Sequence, residues 1–296
     1  MIKPNFLMVG VARCGTTSLY KQLSNHPEIG MSKVKEPKYF SSLNLKLPQN
    51  GVADKTVYEK MITDKHNYFK LFSGFSSKLI IGEASSDYFY YHKNTIPIIK
   101  KELGDVKIII CLRNPVDRAY SAYNNHLRDS REFLNFKDAI ESEKNRILSN
   151  WDWLWHYKSG SLYYEACLNF INSFSDIKII FFDELMSDPK KNLLSIYKFL
   201  GVSLPEEFKP FKKYSHSGVP KNNFFALITS RNNFFTNKLR VLALKLIPRG
   251  YLESFAKVIL IKKDMSKSDE IYLKSFFRDD IKKLSKLLNK NLDHWL

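Results

Sequence analysis

Cysteine is scarce in this chain of 296 residues: Cys14, Cys111 and Cys167 are the only three. They are odd in number, widely spaced and contain no CxxC pair, which excludes a disulfide framework and a cysteine zinc site and suits a reducing compartment. The seven histidines form no HxxH or HExxH pattern, so no metal site is expected. No apolar run reaches the roughly 18 residues of a membrane span. The short run Phe6–Val11 passes straight into a glycine loop without a small-residue cleavage site, so it does not read as a signal peptide and a cytoplasmic location is expected. Internal repeats and low-complexity linkers are also missing, and residues 1–296 read as one domain. Acidic residues are in deficit, 30 against 47 Lys and Arg, giving a net charge of +17. Such a balance favours anionic partners: phosphorylated cofactors, acidic glycans, nucleic acid or a membrane surface.

What is present alternates strand and helix. Buried strands are expected at Phe6–Val11, Leu79–Ile81, Lys107–Leu112 and Lys178–Phe182, because their apolar runs are short and β-branched. Helices are expected over Thr16–Asn25, Thr95–Leu103, Pro115 towards Arg128, Phe136–Leu148, Ser161–Phe174, Lys190–Leu200 and Asp269–Leu288, with Lys209–Asn223 a loop. This order predicts an α/β fold, P-loop-like and three-layered, with a central mainly parallel β-sheet flanked by helices.

The first strand leads into Gly10-Val-Ala-Arg-Cys-Gly-Thr-Thr-Ser18. Two glycines with four residues between them, at a strand-to-helix junction, present backbone N–H groups to an anion, helped by the helix dipole. A triphosphate-binding loop would place Lys after the second glycine; here Thr16 stands there and the only long cation is Arg13. The loop therefore suits a phosphate that needs less charge neutralisation, unless it is a glycine turn without a ligand. A second constellation, Leu112-Arg-Asn-Pro-Val-Asp-Arg-Ala-Tyr-Ser121, follows the strand Lys107–Leu112. Arg113 lies at the carboxyl end of that strand, where open α/β sheets bind ligands. With Ser121 it can hold a second phosphate, or it can form a strand-end ion pair.

GVARCGTTSLY, KEPKYF and LRNPVDRAYSAY in this order resemble the motifs of the PAPS-dependent sulfotransferases, most closely the glycan, heparan-sulfate-type and bacterial branch. PAPS is 3′-phosphoadenosine 5′-phosphosulfate. Ser159–Tyr163, KIIFFDELMSDP (178–189), KKYSHSGVPKN (212–222) and the final stretch Phe276–Leu296 look like further motifs of the family, so the likeness spans nearly the whole chain. The resemblance implies that Arg13, Cys14, Gly15, Thr16, Thr17 and Ser18 hold the 5′-phosphosulfate, that Arg113 and Ser121 hold the 3′-phosphate, and that Ser217, Gly218 and Lys221 belong to a loop closing over the nucleotide. It makes Glu36 the general base, with a pKa raised in a closed cleft, and Arg13 the cation at the leaving oxygen, where many members have Lys. Lys38 stands where heparan-type members often have His, and Ala84 where several have a second catalytic Lys; Lys38 is expected to assist. Glu83 reads as structural, binding backbone N–H groups or Arg118. PAPS is implied as co-substrate, without a metal.

The acceptor is expected to be a carbohydrate hydroxyl, less readily an amine, on a glycan or glycolipid, and no nucleic-acid partner is expected. Asp87–Tyr91 and Trp151–Trp155 are aromatic-rich and suit either core packing or sugar stacking. Lys238–Lys263, basic and apolar, suits a solvated helix pair or peripheral membrane contact. Two other readings compete: a P-loop nucleotide kinase or hydrolase, against which the absent lysine counts, and a non-enzymatic polyanion-binding protein.

Overall fold

The structure, a computed structural model, describes residues 1–205, 211, 219–221, 260–261 and 263–296. Its centre is a sheet of β1 (Phe6–Gly10), β2 (Ile29–Met31), β3 (Ile80–Ala84), β4 (Lys107–Leu112) and β5 (Ile177–Phe181), in the order β2-β3-β1-β4-β5. Every pairing in it is parallel. Phe6 to Val9 and Ile108 to Leu112 are 0% exposed, as strands covered on both faces must be, which is why their sequences are apolar without alternation.

The helices up to the middle of the chain are α1 (Thr16–Ser24), α2 (Tyr39–Ser42), α3 (Lys55–Tyr58), α4 (Lys65–Lys70), α5 (Asp87–Tyr90), α6 (His92–Leu103) and α7 (Pro115–Arg128). They are followed by α8 (Phe136–Glu141), α9 (Glu143–Leu148), α10 (Tyr164–Ser173), α11 (Phe182–Ser187), α12 (Pro189–Leu200) and α13 (Lys267–Leu287). Helix α1 covers β2 and β3, α12 covers β5, and α6, α10, α13 and α7 pack in succession. The start of α7 follows from its sequence: Pro115 sits in the first turn and the Asn114 side chain accepts from the Val116 N–H at 3.0 Å.

Strand β2 escapes sequence reading because three residues are too few to show a period. The helix expected over Phe136–Leu148 divides at Ser142, whose hydroxyl donates to the Asp138 carbonyl at 2.7 Å and competes with the backbone ladder. The helix expected from Ser161 begins instead as a 3-10 turn, Ser159–Ser161, and α10 starts at Tyr164. Asp280 of α13 caps it from a distance, accepting from the N–H groups of Tyr163 at 2.8 Å and Tyr164 at 3.1 Å. Within the expected loop Lys209–Asn223, Val219–Pro220 pairs antiparallel with Leu260–Ile261. Ser217, Gly218 and most of Lys238–Lys263 lie outside the described residues.

Candidate active site

The sheet order reverses between β1 and β4, and ligands of open α/β sheets bind at such a point, beyond the strand ends. Both constellations read from the sequence leave from these two strands. After β1 the chain turns with Arg13 at φ 74° and Gly15 at φ 87°, a left-handed alternation that curls backbone N–H groups into an anion-binding concavity. Helix α1 then begins at Thr16 without a side-chain cap. Cys14 faces inward at 0% exposure, and burial pushes its thiol up to about 11. It fills the loop and is not a thiolate at neutral pH.

Arg13 crosses to α7. Its Nε donates to Ser121 Oγ at 3.1 Å and its Nη1 to Asn125 Oδ1 at 3.0 Å. The Arg128 Nη2 donates to the same Asn125 oxygen at 2.6 Å. From the strand tip, the Arg113 Nη1 reaches the Arg13 carbonyl at 3.4 Å, and its guanidinium lies 4.9 Å from the Phe182 ring centre. Its Nε is buried without a hydrogen-bond partner. Burial, then the charges of Arg128 and Arg113, lower the Arg13 pKa to about 9. A cluster of guanidiniums under mutual strain is what an entering polyanion would relieve. Asn125 and Arg128 were not singled out in the sequence; their spacing from Ser121, four and seven residues along one helix, puts all three on one face and was the available signal.

Beneath the loop, Arg118 is 0% exposed. It donates from Nε to the Ala12 carbonyl at 3.3 Å and from Nη1 to Ser161 Oγ at 3.2 Å. It thus props the loop from behind and does not meet Glu83.

Glu36 reaches the same place from the segment that follows β2. Its carboxylate accepts from the Ser86 N–H at 2.8 Å and the Ser86 hydroxyl at 2.9 Å. The Ser86 hydroxyl stands 3.4 Å from Thr16 Oγ1 in the first turn of α1, so one hydroxyl separates the predicted base from the phosphate cradle. Lys35 also pairs with Glu36, at 2.6 Å. The expected rise in the Glu36 pKa is not found. Burial pushes it up, but Lys35, Lys38 and the Ser86 amide outweigh that and hold it below the ordinary value. The half-buried carboxyl is therefore ionised and ready to accept a proton.

The base segment is clamped strand-fashion. The N–H groups of Glu36, Lys38 and Phe40 donate to the Ala84 carbonyl at 2.9 Å, Ser85 Oγ at 3.0 Å and the Tyr88 hydroxyl at 3.4 Å. Glu36 and Lys38 both adopt positive φ, 59° and 58°. Glu83, 0% exposed, anchors two of these acceptors: Ser85 donates to it at 2.8 Å and Tyr88 at 2.7 Å, with Tyr68 adding a bond at 3.2 Å. Burial pushes the Glu83 carboxyl up to about 8 against those hydrogen bonds. Lys38 is buried, which lowers its pKa, but the negative charges of Asp87, Asp152 and Glu36 raise it overall. It remains an ammonium and supplies charge, not a basic site.

The aromatic segments divide. Trp153 and Trp155 are 2% and 0% exposed; the guanidinium of Arg146 lies 4.9 Å from the Trp155 ring centre and Arg146 is paired with Glu132. This is core, and it cannot stack a sugar. Tyr90 and Tyr91 are half-buried and line a cavity of about 400 Å³ with Leu162 and Glu165. Lys221 is exposed, and Ser217 and Gly218 fall outside the described residues. Among the described residues no cluster of His, Cys, Asp and Glu could hold a metal ion, and no helix is long and apolar enough to cross a membrane.

Comparison with known proteins agrees with the fold. Over its whole length the chain resembles the crystal structure of a sulfotransferase from Alicyclobacillus acidocaldarius, with a TM-score of 0.78 and 29% identity, covering 100% of this chain and 99% of the other. It is 26% identical to the bifunctional heparan sulfate N-deacetylase/N-sulfotransferase 4 of Mus musculus over 99% of this chain and 31% of that protein. It is 29% identical to the carbohydrate sulfotransferase 15 of the same organism over 46% of this chain and 30% of that protein. The chain thus spans about a third of the length of these curated relatives. Residues 3–239 match the sulfotransferase domain, and the chain belongs to that family.

Proposed function

We propose that the protein transfers the sulfuryl group of PAPS to a hydroxyl of a carbohydrate acceptor, with Glu36 as general base. The observation that carries this reading is the single hydroxyl of Ser86 between the Glu36 carboxylate and Thr16 of the loop. A base and a phosphate cradle this close let one side of the site receive the acceptor proton while the other steadies the leaving phosphate.

PAPS supplies the sulfuryl group. The loop amides and the hydroxyls at 16–18 hold its 5′ end. Arg113, Ser121 and Arg128, with the unpartnered Arg113 Nε, hold the 3′-phosphate. Arg13, bonded to Ser121 yet part of the loop, stabilises charge on the leaving oxygen as the S–O bond breaks. Glu36, already ionised, accepts the proton as the new O–S bond forms. Lys38 adds positive charge beside it. We also place the reaction in a reducing compartment, in keeping with three free, buried cysteines.

Calorimetry tests the donor: 3′,5′-bisphosphoadenosine should bind without Mg²⁺ and in preference to ATP. Transfer of ³⁵S from PAPS to a panel of oligosaccharides tests the reaction. Preference for Mg-ATP would favour the kinase reading, and absence of transfer to any carbohydrate would overturn the acceptor assignment.

A further inference from the structure

Ser86 is bonded to Glu36 twice and forgoes the bond that its own position offers. It stands at the N-terminal end of α5, where a serine side chain ordinarily accepts from an N–H of the first turn, yet it makes no such bond. Its hydroxyl donates instead to Glu36 Oε1 at 2.9 Å, and its N–H donates to Glu36 Oε2 at 2.8 Å. Ser86 is 2% exposed, so both donors are shielded from water. The adjacent Ser85 serves the same segment: its hydroxyl donates to Glu83 and accepts from the Lys38 N–H. The Ser85–Ser86 pair thus holds the base segment at two places.

A carboxylate offers about four lone-pair sites, two on each oxygen. At Glu36, Oε1 receives two donors, the Ser86 hydroxyl and the Lys35 ammonium. Oε2 receives one, the Ser86 N–H. The two oxygens are therefore unlike: Oε1 is filled and Oε2 keeps a lone pair. The Glu36 side chain is 28% exposed, within reach of an incoming hydroxyl. Its backbone is left-handed, φ 59°, a conformation that a non-glycine residue keeps only where its surroundings hold it. Four charged groups face the carboxyl: Lys35 and Lys38 from its own segment, Glu83 from β3 and Asp87 from the start of α5. The last three set its field without bonding to it, and Lys35 alone is a flexible chain that fixes no plane. Orientation falls to Ser86.

Resting on the function proposed above, we infer that Ser86 is a positioning residue of the transfer reaction: its N–H and hydroxyl fix the plane of the Glu36 carboxylate, closing Oε1 and leaving Oε2 to take the acceptor's proton. In that step the acceptor O–H gives its proton to Oε2 as its oxygen bonds the sulfur. The bond from sulfur to the nucleotide phosphate breaks, and its electron pair stays on the leaving phosphate. Ser86 itself moves no proton. A carboxylate free to swing about its last torsion presents the filled oxygen as often as the open one, and such misplacement slows transfer without weakening substrate binding. The hydroxyl also donates to the ionised form and so helps to keep it ionised. Its removal therefore leaves a base that is stronger yet slower, a combination that loss of packing alone does not produce.

The test compares the full chain with Ser86→Ala and Ser86→Thr. In Ser86→Ala, kcat should fall by about tenfold, KM for the oligosaccharide that turns over should stay near the parent's, and the acid limb of kcat/KM should move to higher pH. Ser86→Thr keeps the hydroxyl and should restore both. Should the added methyl prevent folding, Ser86→Cys, a weaker donor, should fall between the parent and Ser86→Ala. Calorimetry with 3′,5′-bisphosphoadenosine should give the parent's affinity in every variant, because Ser86 meets the loop only through the long 3.4 Å contact with Thr16. A parent-like kcat and acid limb in Ser86→Ala would overturn the assignment. So would a lost affinity for the nucleotide, or a folded threonine variant as slow as the alanine one. A parent chain that transfers no sulfuryl group to any acceptor sinks the broader reading instead. The hold on Glu36 is then still decided by NMR of ¹³Cδ-labelled glutamate, with the Glu36 resonance identified by its loss in Glu36→Gln. Titration at higher pH in Ser86→Ala upholds it, and an unmoved titration overturns it.

Discussion

Arg13 Nε and Ser121 Oγ are 3.1 Å apart although 108 residues separate them in sequence. One belongs to the loop assigned to the sulfated end of the nucleotide, the other to the helix assigned to its 3′-phosphate. The two half-sites therefore share a side chain. Arg13→Ala should raise the dissociation constant for 3′,5′-bisphosphoadenosine by about ten- to a hundredfold, the worth of one or two charge-assisted hydrogen bonds. Arg13→Lys, which keeps the charge but cannot bridge two acceptors in a plane, should fall between. Calorimetry at fixed salt reads both; an unchanged affinity in Arg13→Ala would remove the residue from the site.

Glu36→Gln should lower kcat by about 10²- to 10⁴-fold with nucleotide affinity retained, because the carboxylate touches Ser86 and Lys35 but no loop amide. The pH dependence has a definite sign. The carboxyl sits below its ordinary 4.5, so it stays ionised as pH falls and its acid limb in kcat/KM lies below 4.5. A limb centred near neutrality would point to a different base.

Glu83 should act on stability and on the set of the base segment. Its folded carboxyl is raised to about 8 from an ordinary 4.5. The folded state then holds a proton that the unfolded chain has released, so stability is greatest below 4.5 and declines as pH rises towards 8. Glu83→Gln cannot titrate and should flatten that slope in melting temperature against pH. Glu83→Ala, which orphans the hydroxyls of Tyr68, Tyr88 and Ser85, should cost on the order of 3 kcal/mol in urea unfolding.

Gly15→Ala should weaken nucleotide binding and destabilise the fold together. The φ of 87° penalises any Cβ, and a Cβ placed there lies 3.0 Å from the Phe182 ring. The backbone term alone is about 1–2 kcal/mol. Thermal melting and calorimetry on the same sample check it, and a variant that melts and binds as the parent does would show that the loop relaxes.

Four of the five sheet strands and the constellations that follow β1 and β4 were legible because each announces itself locally, through a continuous apolar run, a glycine at a forced turn or a proline at a helix start. Arg13, Arg113, Ser121 and Glu36 do converge. What local reading missed depends on facing partners. Glu36 keeps a low pKa because Lys35 and Lys38 flank it, and their adjacency in sequence hinted at this while the cleft argument pointed the other way. Trp155 looks like a sugar platform until Arg146 is seen against its face, and Trp153 until Tyr90 and Arg118 are seen beside it. Asn125 and Arg128 needed the helical period applied beyond the recognised motif.

The central place of β1 has a kinetic consequence. Its neighbours β3 and β4 come from residues near 80 and 110, so the glycine turn that follows it is shaped only after long stretches of chain have closed. Parallel pairings at such separations form slowly. During synthesis the turn at residues 10–15 emerges before β3, β4 and the helix ending at Arg128 that shape it, so the nascent chain passes through a period in which this turn has no fixed form.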